Sequence, residues 1–233
     1  MIRRFRELKS TQTYCLEHID SMKDMEAVVC EVQTGGIGRS GRSWVSSEGS
    51  LLFSVVVRGP QIEDASLRAA EGVKDALERL GAEGVSVKWP NDVYIEAGGK
   101  PSRKIAGVLV HTVDTREGPA HVIGIGVNLS GEMSYRTLEE CGIRIDKEEA
   151  LQEILKEVRK IAEESRGEVC SEKKTGEVSR GGFVSQEVYF EDRVWNIVRI
   201  CDRLEIERNG KRITVDPEMY SYLRDSNSIV LKR

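Results

Sequence analysis

The chain has 233 residues, enough for one large domain or for a large domain followed by a small one. Lysine and arginine total 35 against 39 acidic residues, so the net charge of -4 provides no overall basic field for nucleic acid. We expect a cytoplasmic, reduced protein with no membrane partner, because no apolar run reaches the ~20 residues of a membrane helix, no signal-peptide core is present, and the five cysteines form no Cys-x-x-Cys pair.

The first predicted helix begins close to Ser10 and Thr11. Leu16, Ile19 and Met22 recur downstream at helical spacing, so a hydroxyl of Ser10 or Thr11 is suited to accept a backbone N–H at the helix N-terminus. A helix N-terminus is also a place where polar groups converge on a ligand. Helix capping and ligand binding by these hydroxyls are compatible.

A predicted strand over Ala27–Gln33 leads into a loop with four glycines, Gln33–Trp44, with the sequence QTGGIGRSGRSW. We call it the glycine loop. Because the loop has little side-chain bulk, its backbone N–H groups can approach an anion closely, and Arg39 and Arg42 add charge-assisted donors. Taken alone, the loop fits a mobile hairpin connection at least as well.

The middle of the chain predicts a strand, a helix and four further strands, at Ser50–Arg58, Glu63–Leu80, Val85–Trp89, Val93–Ile95, Lys104–Val113 and Ala120–Leu129. The first is a continuous apolar run, typical of a strand buried on both faces. Pro90 interrupts ladder pairing and turns Asn91 and Asp92 toward a site or solvent. Gly124 and Gly126 mark a place where a backbone or ligand approaches closely.

A long helix with a capping-box-like start is predicted from Asp146 to Glu164. Residues 166–182 are small, charged and poor in apolar side chains, which indicates an exposed connection. We therefore predict two domains, a large domain over residues 1–180 and a small β domain over residues 181–233.

The predicted C-terminal domain contains short strand-like runs at Val184–Phe190, Val194–Ile200, Leu204–Arg208, Ile213–Val215 and Ile229–Leu231. Asn209-Gly210 lies between two of them and is a strong indication of a two-residue hairpin. A small β-barrel of about fifty residues fits this pattern.

Five motifs follow one another in a characteristic order: Ser10-Thr11, GRSGRSW in the glycine loop, KWPND at Lys88–Asp92, KIAGVL at Lys104–Leu109 and G-x-G-x-N at Gly124–Asn128. In these motifs the chain resembles the biotin–protein ligase family over about the first three-fifths of its length. One such motif would be weak evidence, but the ordered set is strong.

The resemblance implies an α+β fold of the class II aminoacyl-tRNA-synthetase/biotin ligase type. Such a fold has a mixed β-sheet with helices on one face and a small C-terminal SH3-like β-barrel. The implied enzyme activates biotin with ATP to biotinyl-5′-AMP and transfers biotin to a lysine of a biotin carboxyl carrier protein. Mg²⁺ is expected to accompany ATP, although no side-chain cluster identifies its ligands. The family often forms a homodimer through a sheet edge.

The resemblance also assigns site residues by their place in the motifs. Lys104, Arg39 and Asp92 are the expected catalytic residues, because the cations suit a carboxylate and an α-phosphate and the carboxylate suits an incoming lysine. The expected biotin-binding residues are Ser10, Thr11, Gln12, Gln33, Gly38, Arg39, Lys104 and Gly107. The expected ATP- and adenylate-binding residues are Arg39, Arg42, Trp44, Lys88, Asn91, Lys104, Gly124, Gly126 and Asn128.

Some of these assignments keep an alternative. Trp44 is placed either against the adenine ring or as an anchor of the glycine loop. Lys88 is otherwise an ordinary strand lysine, and Asp92 otherwise belongs to a surface Asn-Asp turn. One position departs from the family pattern, because Ile37 stands where the family usually has the first arginine of the loop.

Three other functions compete with a biotin ligase. A lipoate–protein ligase shares the fold and the adenylation chemistry but lacks KWPND and GRSGRSW. A non-catalytic biotin- or nucleotide-binding regulator has no need of Lys104, Arg39 and Asp92 together. A Rossmann nucleotide binder is excluded by the glycine spacing and by the lack of an acidic ribose partner downstream. Because the Ser-Thr motif begins at residue 10, we expect no winged helix and no sequence-specific DNA binding.

Overall fold

The computed structural model describes residues 1–96, 102–131, 137–167, 187–200, 203–223 and 228–231. The strands are β1 (Ile2–Leu8), β2 (Glu26–Gln33), β3 (Gly36–Ile37), β4 (Ser43–Trp44), β5 (Ser50–Arg58), β6 (Val85–Lys88), β7 (Asp92–Ile95), β8 (Arg103–Thr115), β9 (Gly118–Asn128), β10 (Glu187–Phe190), β11 (Arg193–Ile200), β12 (Leu204–Arg208), β13 (Lys211–Val215), β14 (Tyr220–Leu223) and β15 (Ser228–Leu231). The α-helices are α1 (Thr11–Glu17), α2 (Ala65–Arg79) and α3 (Lys147–Arg166). In this part of the chain, no helix combines the length and the apolar character needed to cross a membrane.

Seven strands form the main sheet, in the order β1-β2-β5-β9-β8-β7-β6. β1 is parallel to β2, and the other neighbours are antiparallel. Every residue of β5 before Arg58 is buried, which confirms the prediction of a strand covered on both faces. The register pairs Asp92 with Gly107 and Gly107 with Gly126, so residues from three separate motifs become neighbours.

Helices cover both faces of the main sheet. α2 and α3 pack against each other and against one face. Neighbouring residues of β2 therefore face opposite ways: Ala27 belongs to the core under α2 and α3, whereas Val28 packs with Cys15 of α1 on the other face. The predicted mixed sheet with helices is confirmed. The two long helices share one face as expected, and the short α1 lies on the other.

Six strands form the C-terminal sheet, in the order β13-β12-β11-β10-β15-β14. The buried core of this sheet includes Trp195, Ile206 and Tyr222, and it also includes Trp89 from the KWPND motif. Trp89 is only 3% exposed, so the main sheet and the C-terminal sheet share one tightly packed side chain. The predicted boundary at residue 180 lies outside the described residues, as does all of the predicted connection after Gly167.

One predicted turn and one predicted helix cap are confirmed. Asn209 and Gly210 both have positive φ angles and join β12 to β13 as a hairpin. Asp146 caps α3, because its carboxylate accepts the backbone N–H groups of Glu148 and Glu149. Four strands were missed, β1, β14 and the two-residue strands β3 and β4 of the glycine loop. β1 is a charged edge strand without an apolar run, and β14 is short.

Candidate active site

A cavity of about 270 Å³ lies on the face of the main sheet that carries α1. Its walls come from the N-terminus of α1, the glycine loop, the KWPND turn and the strands β5, β8 and β9. All predicted site residues except Lys88 line this cavity. The ammonium of Lys88 instead lies 5.2 Å from the centroid of the Tyr94 ring. The geometry therefore gives no support to a nucleotide contact by Lys88.

A network of hydroxyl and amide groups is buried where α1 meets β5. Ser10 is the N-cap of α1, and its hydroxyl accepts the backbone N–H of Thr13 at 3.4 Å. Gln33 Oε1 accepts the backbone N–H of Thr11 at 2.8 Å and the Thr11 hydroxyl at 3.1 Å. The Thr11 and Ser54 hydroxyl oxygens lie 2.9 Å apart. The first turn of the helix is thus capped and also presents polar groups to the cavity.

Gln12 extends this network toward β8 and β9. Its Nε2 donates to the carbonyl of Val122 at 2.9 Å and lies 3.0 Å from Nδ1 of His111. Its Oε1 accepts the Ser54 hydroxyl at 3.0 Å. Since both contacts of Nε2 require it to donate, His111 accepts through an unprotonated Nδ1. Burial lowers the pKa of His111, which favours this neutral ring.

Arg39 of the glycine loop is held from two directions. Its Nη1 donates to Oδ1 of Asn91 at 3.3 Å, and its Nη2 donates to Oε1 of Glu218 at 2.7 Å. Ser40 and Gly41 follow with positive φ angles of 55° and 71°, so the chain turns sharply there. The side chain of Arg39 remains part of the cavity wall.

Trp44 at the end of the glycine loop covers the glycines of β8 and β9. A Cβ atom added to Gly126 would lie 2.6 Å from the Trp44 ring, and one added to Gly107 would lie 2.9 Å from it. Only glycine leaves room for the indole at these positions. Trp44 therefore anchors the glycine loop on the main sheet.

Lys104 joins this group from the start of β8. Its ammonium lies 2.5 Å from the carboxylate of Asp92 and 5.2 Å from the centroid of the Trp44 ring. Among the described residues, the cavity lining holds three cationic side chains (Lys104, Arg39 and Arg42) and one carboxylate, Asp92. The balance of charge suits an anionic ligand.

Two polar atoms at the cavity are buried without a hydrogen-bond partner among the described residues. They are Nε1 of Trp44, which is a donor, and Oδ1 of Asn128, which is an acceptor. Unsatisfied buried polar atoms are rare in folded proteins and call for a partner. A ligand that offers both an acceptor and a donor would satisfy this pair.

Sequence reasoning missed several residues of the site. Ser54 links Thr11 to Gln12, and a serine inside the apolar run of β5 was the signal for it. Tyr94 lines the cavity, and burial together with Asp92 raises the pKa of its hydroxyl. Glu218 comes from the turn between β13 and β14, where no local pattern distinguished it.

Comparison with known proteins shows which family the chain resembles in sequence. Residues 5–128 match the sequence model of the Biotin/lipoate A/B protein ligase family. The chain is 33% identical over 170 residues to the bifunctional ligase/repressor BirA of Escherichia coli, an alignment that covers 67% of this chain and 51% of the relative. It is 32% identical over 160 residues to the biotin–[acetyl-CoA-carboxylase] ligase of Paracoccus denitrificans, covering 61% of this chain and 65% of the relative. The chain spans about half the length of the first relative.

A solved structure extends the likeness to the whole chain. The biotin protein ligase from Aquifex aeolicus, in complex with biotin and ATP, superposes with a TM-score of 0.73 at 25% identity and covers 100% of this chain and 98% of that chain. The family match includes every motif described above and more than half of the chain. The chain therefore belongs to the Biotin/lipoate A/B protein ligase family.

Proposed function

We propose that the chain is a biotin–protein ligase, which converts biotin and ATP to biotinyl-5′-AMP and transfers the biotinyl group to a lysine of a biotin carboxyl carrier protein. The observation that carries the proposal is one cavity that combines a neutral hydroxyl–amide network with the cations Lys104 and Arg39. Biotin has the matching chemistry, because its ureido group donates and accepts hydrogen bonds and its chain ends in a carboxylate.

Biotin is assigned to the part of the cavity next to α1. Thr11, Gln12 and Gln33 provide the polar contacts for the ureido group, and Leu52 and Leu109 add apolar wall for the rest of the ring system. Such sites are mostly apolar with a few well-placed polar groups. The buried network behind these residues fixes their rotamers before biotin binds.

The nucleotide is assigned to the region under the glycine loop. The unpaired Nε1 of Trp44 and the unpaired Oδ1 of Asn128 offer a donor and an acceptor for a base. Gly126 keeps the sheet surface flat beneath them. The Aquifex aeolicus protein that shares this fold was solved with biotin and ATP, which supports the assignment.

In the first step a carboxylate oxygen of biotin bonds to the α-phosphorus of ATP, and the bond from that phosphorus to the β-phosphate oxygen breaks. Pyrophosphate leaves and biotinyl-5′-AMP forms. Negative charge grows around the α-phosphate during this exchange, and we assign Lys104 and Arg39 to stabilise it. The rest of the task is to hold two anions together, which a preformed cavity does.

In the second step the amine of the acceptor lysine bonds to the carbonyl carbon of the anhydride, and AMP leaves with the electrons of the broken C–O bond. The amine must lose a proton, and Asp92 is the carboxylate of the cavity lining that we assign to orient and accept it. The Paracoccus denitrificans relative is a biotin–[acetyl-CoA-carboxylase] ligase, which supports a carboxylase carrier domain as the acceptor.

Mg²⁺ is expected to arrive with ATP. Within the described residues, no three acidic, histidine or cysteine side chains form a group suited to hold a metal ion. Asp92 is paired with Lys104. Phosphate oxygens and water supply most ligands of nucleotide-bound Mg²⁺.

The test is pyrophosphate release from ATP by purified protein, with biotin or with lipoate. We expect release with biotin only, and a loss of roughly 10²–10³ in turnover for Lys104→Ala, which removes a partner of the developing charge. Lys74→Ala is the matched control, because Lys74 pairs with Glu78 on α2, away from the cavity. Release with lipoate would make the chain a lipoate ligase, and biotin binding without release would make it a regulator.

A further inference from the structure

The turn between β13 and β14 carries Glu218 to the glycine loop. Arg39 donates to Oε1 of Glu218 from Nε at 3.0 Å and from Nη2 at 2.7 Å. The hydroxyl of Ser40 donates to Oε2 of the same carboxylate. One side chain of the C-terminal sheet thus holds two consecutive residues of the loop that covers the cavity.

The turn that presents Glu218 is itself well ordered. The carboxylate of Asp216 accepts the backbone N–H of Glu218 at 2.8 Å. The carbonyl of Asp216 accepts the N–H groups of Met219 and Tyr220 at 3.1 and 3.0 Å. Pro217 restricts the backbone between them. Glu218 therefore leaves a turn whose geometry is fixed by its own hydrogen bonds.

The second support of Arg39 is also tied to the C-terminal sheet. Asn91 accepts from Arg39 and donates to the carbonyl of Val108 at 2.6 Å. It lies two residues after Trp89, whose side chain is buried in the core of the C-terminal sheet. Asn91 is thus held on β8 of the main sheet, next to the tryptophan that enters the C-terminal core, whereas Glu218 comes from the C-terminal turn.

These contacts leave part of the guanidinium for a ligand. A guanidinium has five N–H donors, and three donors of Arg39 are used by Asn91 and Glu218. One N–H remains on each terminal nitrogen, on a side chain that lines the cavity and is only 13% exposed. Two such donors in a fixed plane match the oxygens of a phosphate.

We propose that Glu218 is a positioning residue that holds Arg39 and the glycine loop over bound ATP and over the adenylate formed from it. The inference depends on the ligase function proposed above. Glu218 acts through Arg39 and Ser40, and it does not line the cavity. Without its charge, the contact of Arg39 and Ser40 with the C-terminal turn is weakened. ATP should then bind less tightly and biotinyl-5′-AMP should escape faster.

The test compares Glu218→Gln with Glu207→Gln. The control is closely matched, because Glu207 also belongs to the C-terminal sheet and also pairs with an arginine, Arg212, at 2.7 Å. Glu218 is 48% exposed, so the ion pair is partly screened and the expected effect is moderate. We expect Glu218→Gln to raise the KM for ATP about threefold to tenfold, to change the KM for biotin less than about twofold, and to speed adenylate release.

A second variant covers the case in which Glu218→Gln does not fold. Ser40→Ala removes the other bond to Glu218 and should shift the KM for ATP in the same direction by a smaller factor. Thermal melting checks that neither variant is globally destabilised, since a merely structural role would lower the Tm and raise both KM values together. The inference is overturned if the KM for ATP and adenylate retention match those of Glu207→Gln. Absence of biotin-dependent pyrophosphate release by wild type would instead overturn the ligase function.

Discussion

The ammonium of Lys104 and the carboxylate of Asp92 lie 2.5 Å apart on neighbouring strands. Both residues are expected to act in the reaction, but on different substrates and in different steps. While the pair persists, each neutralises the other. A substrate anion that attracts Lys104 would therefore leave Asp92 available to the acceptor lysine. The pair thus offers a physical link between adenylate formation and transfer.

Asp92→Asn should separate the two steps. Asparagine keeps the size and the hydrogen-bonding oxygen but lacks the negative charge that stabilises an incoming ammonium. We expect adenylate formation to change less than about threefold and transfer to the carrier lysine to fall roughly 10²-fold, the lower end of general-base effects. Single-turnover transfer from preformed biotinyl-5′-AMP measures the second step, and pyrophosphate exchange measures the first.

Hydroxylamine provides the control for this variant. It is already unprotonated at neutral pH, so it needs no carboxylate to become a nucleophile. Its reaction with the bound adenylate should be similar in wild type and Asp92→Asn. An equal loss in both half-reactions would mean that Asp92 serves mainly to hold Lys104.

The Ile37→Arg substitution restores the arginine that the family usually has in the loop. Ile37 is 38% exposed and borders the cavity, where Lys104, Arg39 and Arg42 already supply positive charge. We therefore expect the KM values for biotin and ATP to change less than about tenfold, because one more solvent-screened charge contributes little. Steady-state kinetics of Ile37→Arg beside Ile37→Gln isolates the charge. A larger gain with arginine alone would show that the charge at this position matters.

Local sequence patterns predicted the central elements of the fold, and the resemblance to the biotin–protein ligase family supplied the predicted site residues, of which all but Lys88 line the cavity. The apolar run of β5 and the stripe of α2 are examples, because periodicity reports burial directly. What local patterns do not contain is pairing between distant residues. Arg39 and Glu218 meet across 179 positions, and nothing near either residue indicates the other. For Lys88 the motif gives the place of the backbone, whereas the ammonium lies over the Tyr94 ring, and its nucleotide contact stays a prediction.

Trp89 also shows that local sequence patterns do not reveal tertiary contacts. The sequence predicts it only as the end of a strand within the KWPND motif, yet its side chain belongs to the core of the C-terminal sheet. A large aromatic residue in a motif fits either a ligand contact or a core. Only the tertiary structure shows that this one joins two sheets.

Gly124→Ala and Gly126→Ala should produce opposite defects. A Cβ atom at residue 124 would lie 2.3 Å from Oε1 of Gln12, whereas one at residue 126 would lie 2.6 Å from the Trp44 ring. Contacts this short force the neighbouring side chain to move. We expect Gly124→Ala to weaken biotin binding and Gly126→Ala to weaken ATP binding, each by at least about tenfold.

Isothermal titration with each ligand separates these defects, and each variant is the control for the other. Thermal melting shows whether either change destabilises the main sheet as a whole. A loss of biotin binding confined to Gly126→Ala would contradict the assignment of Trp44 to the nucleotide region.

Biotin binding should weaken in acid because of His111. Burial lowers the pKa of His111 from its ordinary value of 6.5, and the neutral ring accepts a hydrogen bond from Gln12. The unfolded chain therefore binds this proton at a higher pH than the folded chain does. The stability linked to His111 is fully present above pH 6.5 and is lost as the pH falls through the lower, folded-state pKa.

Protonation of His111 would also disturb Gln12, since an imidazolium has no acceptor for Nε2 of the amide. We expect the Kd for biotin, measured by titration between about pH 8 and pH 5, to rise in acid for wild type. His111→Gln, which keeps an acceptor without a titrating ring, should flatten that rise. His18→Gln is the control, because His18 is exposed and bonds to the carbonyl of Tyr14 within α1. If the rise persists in His111→Gln, another group is responsible, and the amide of Gln12 does not depend on His111.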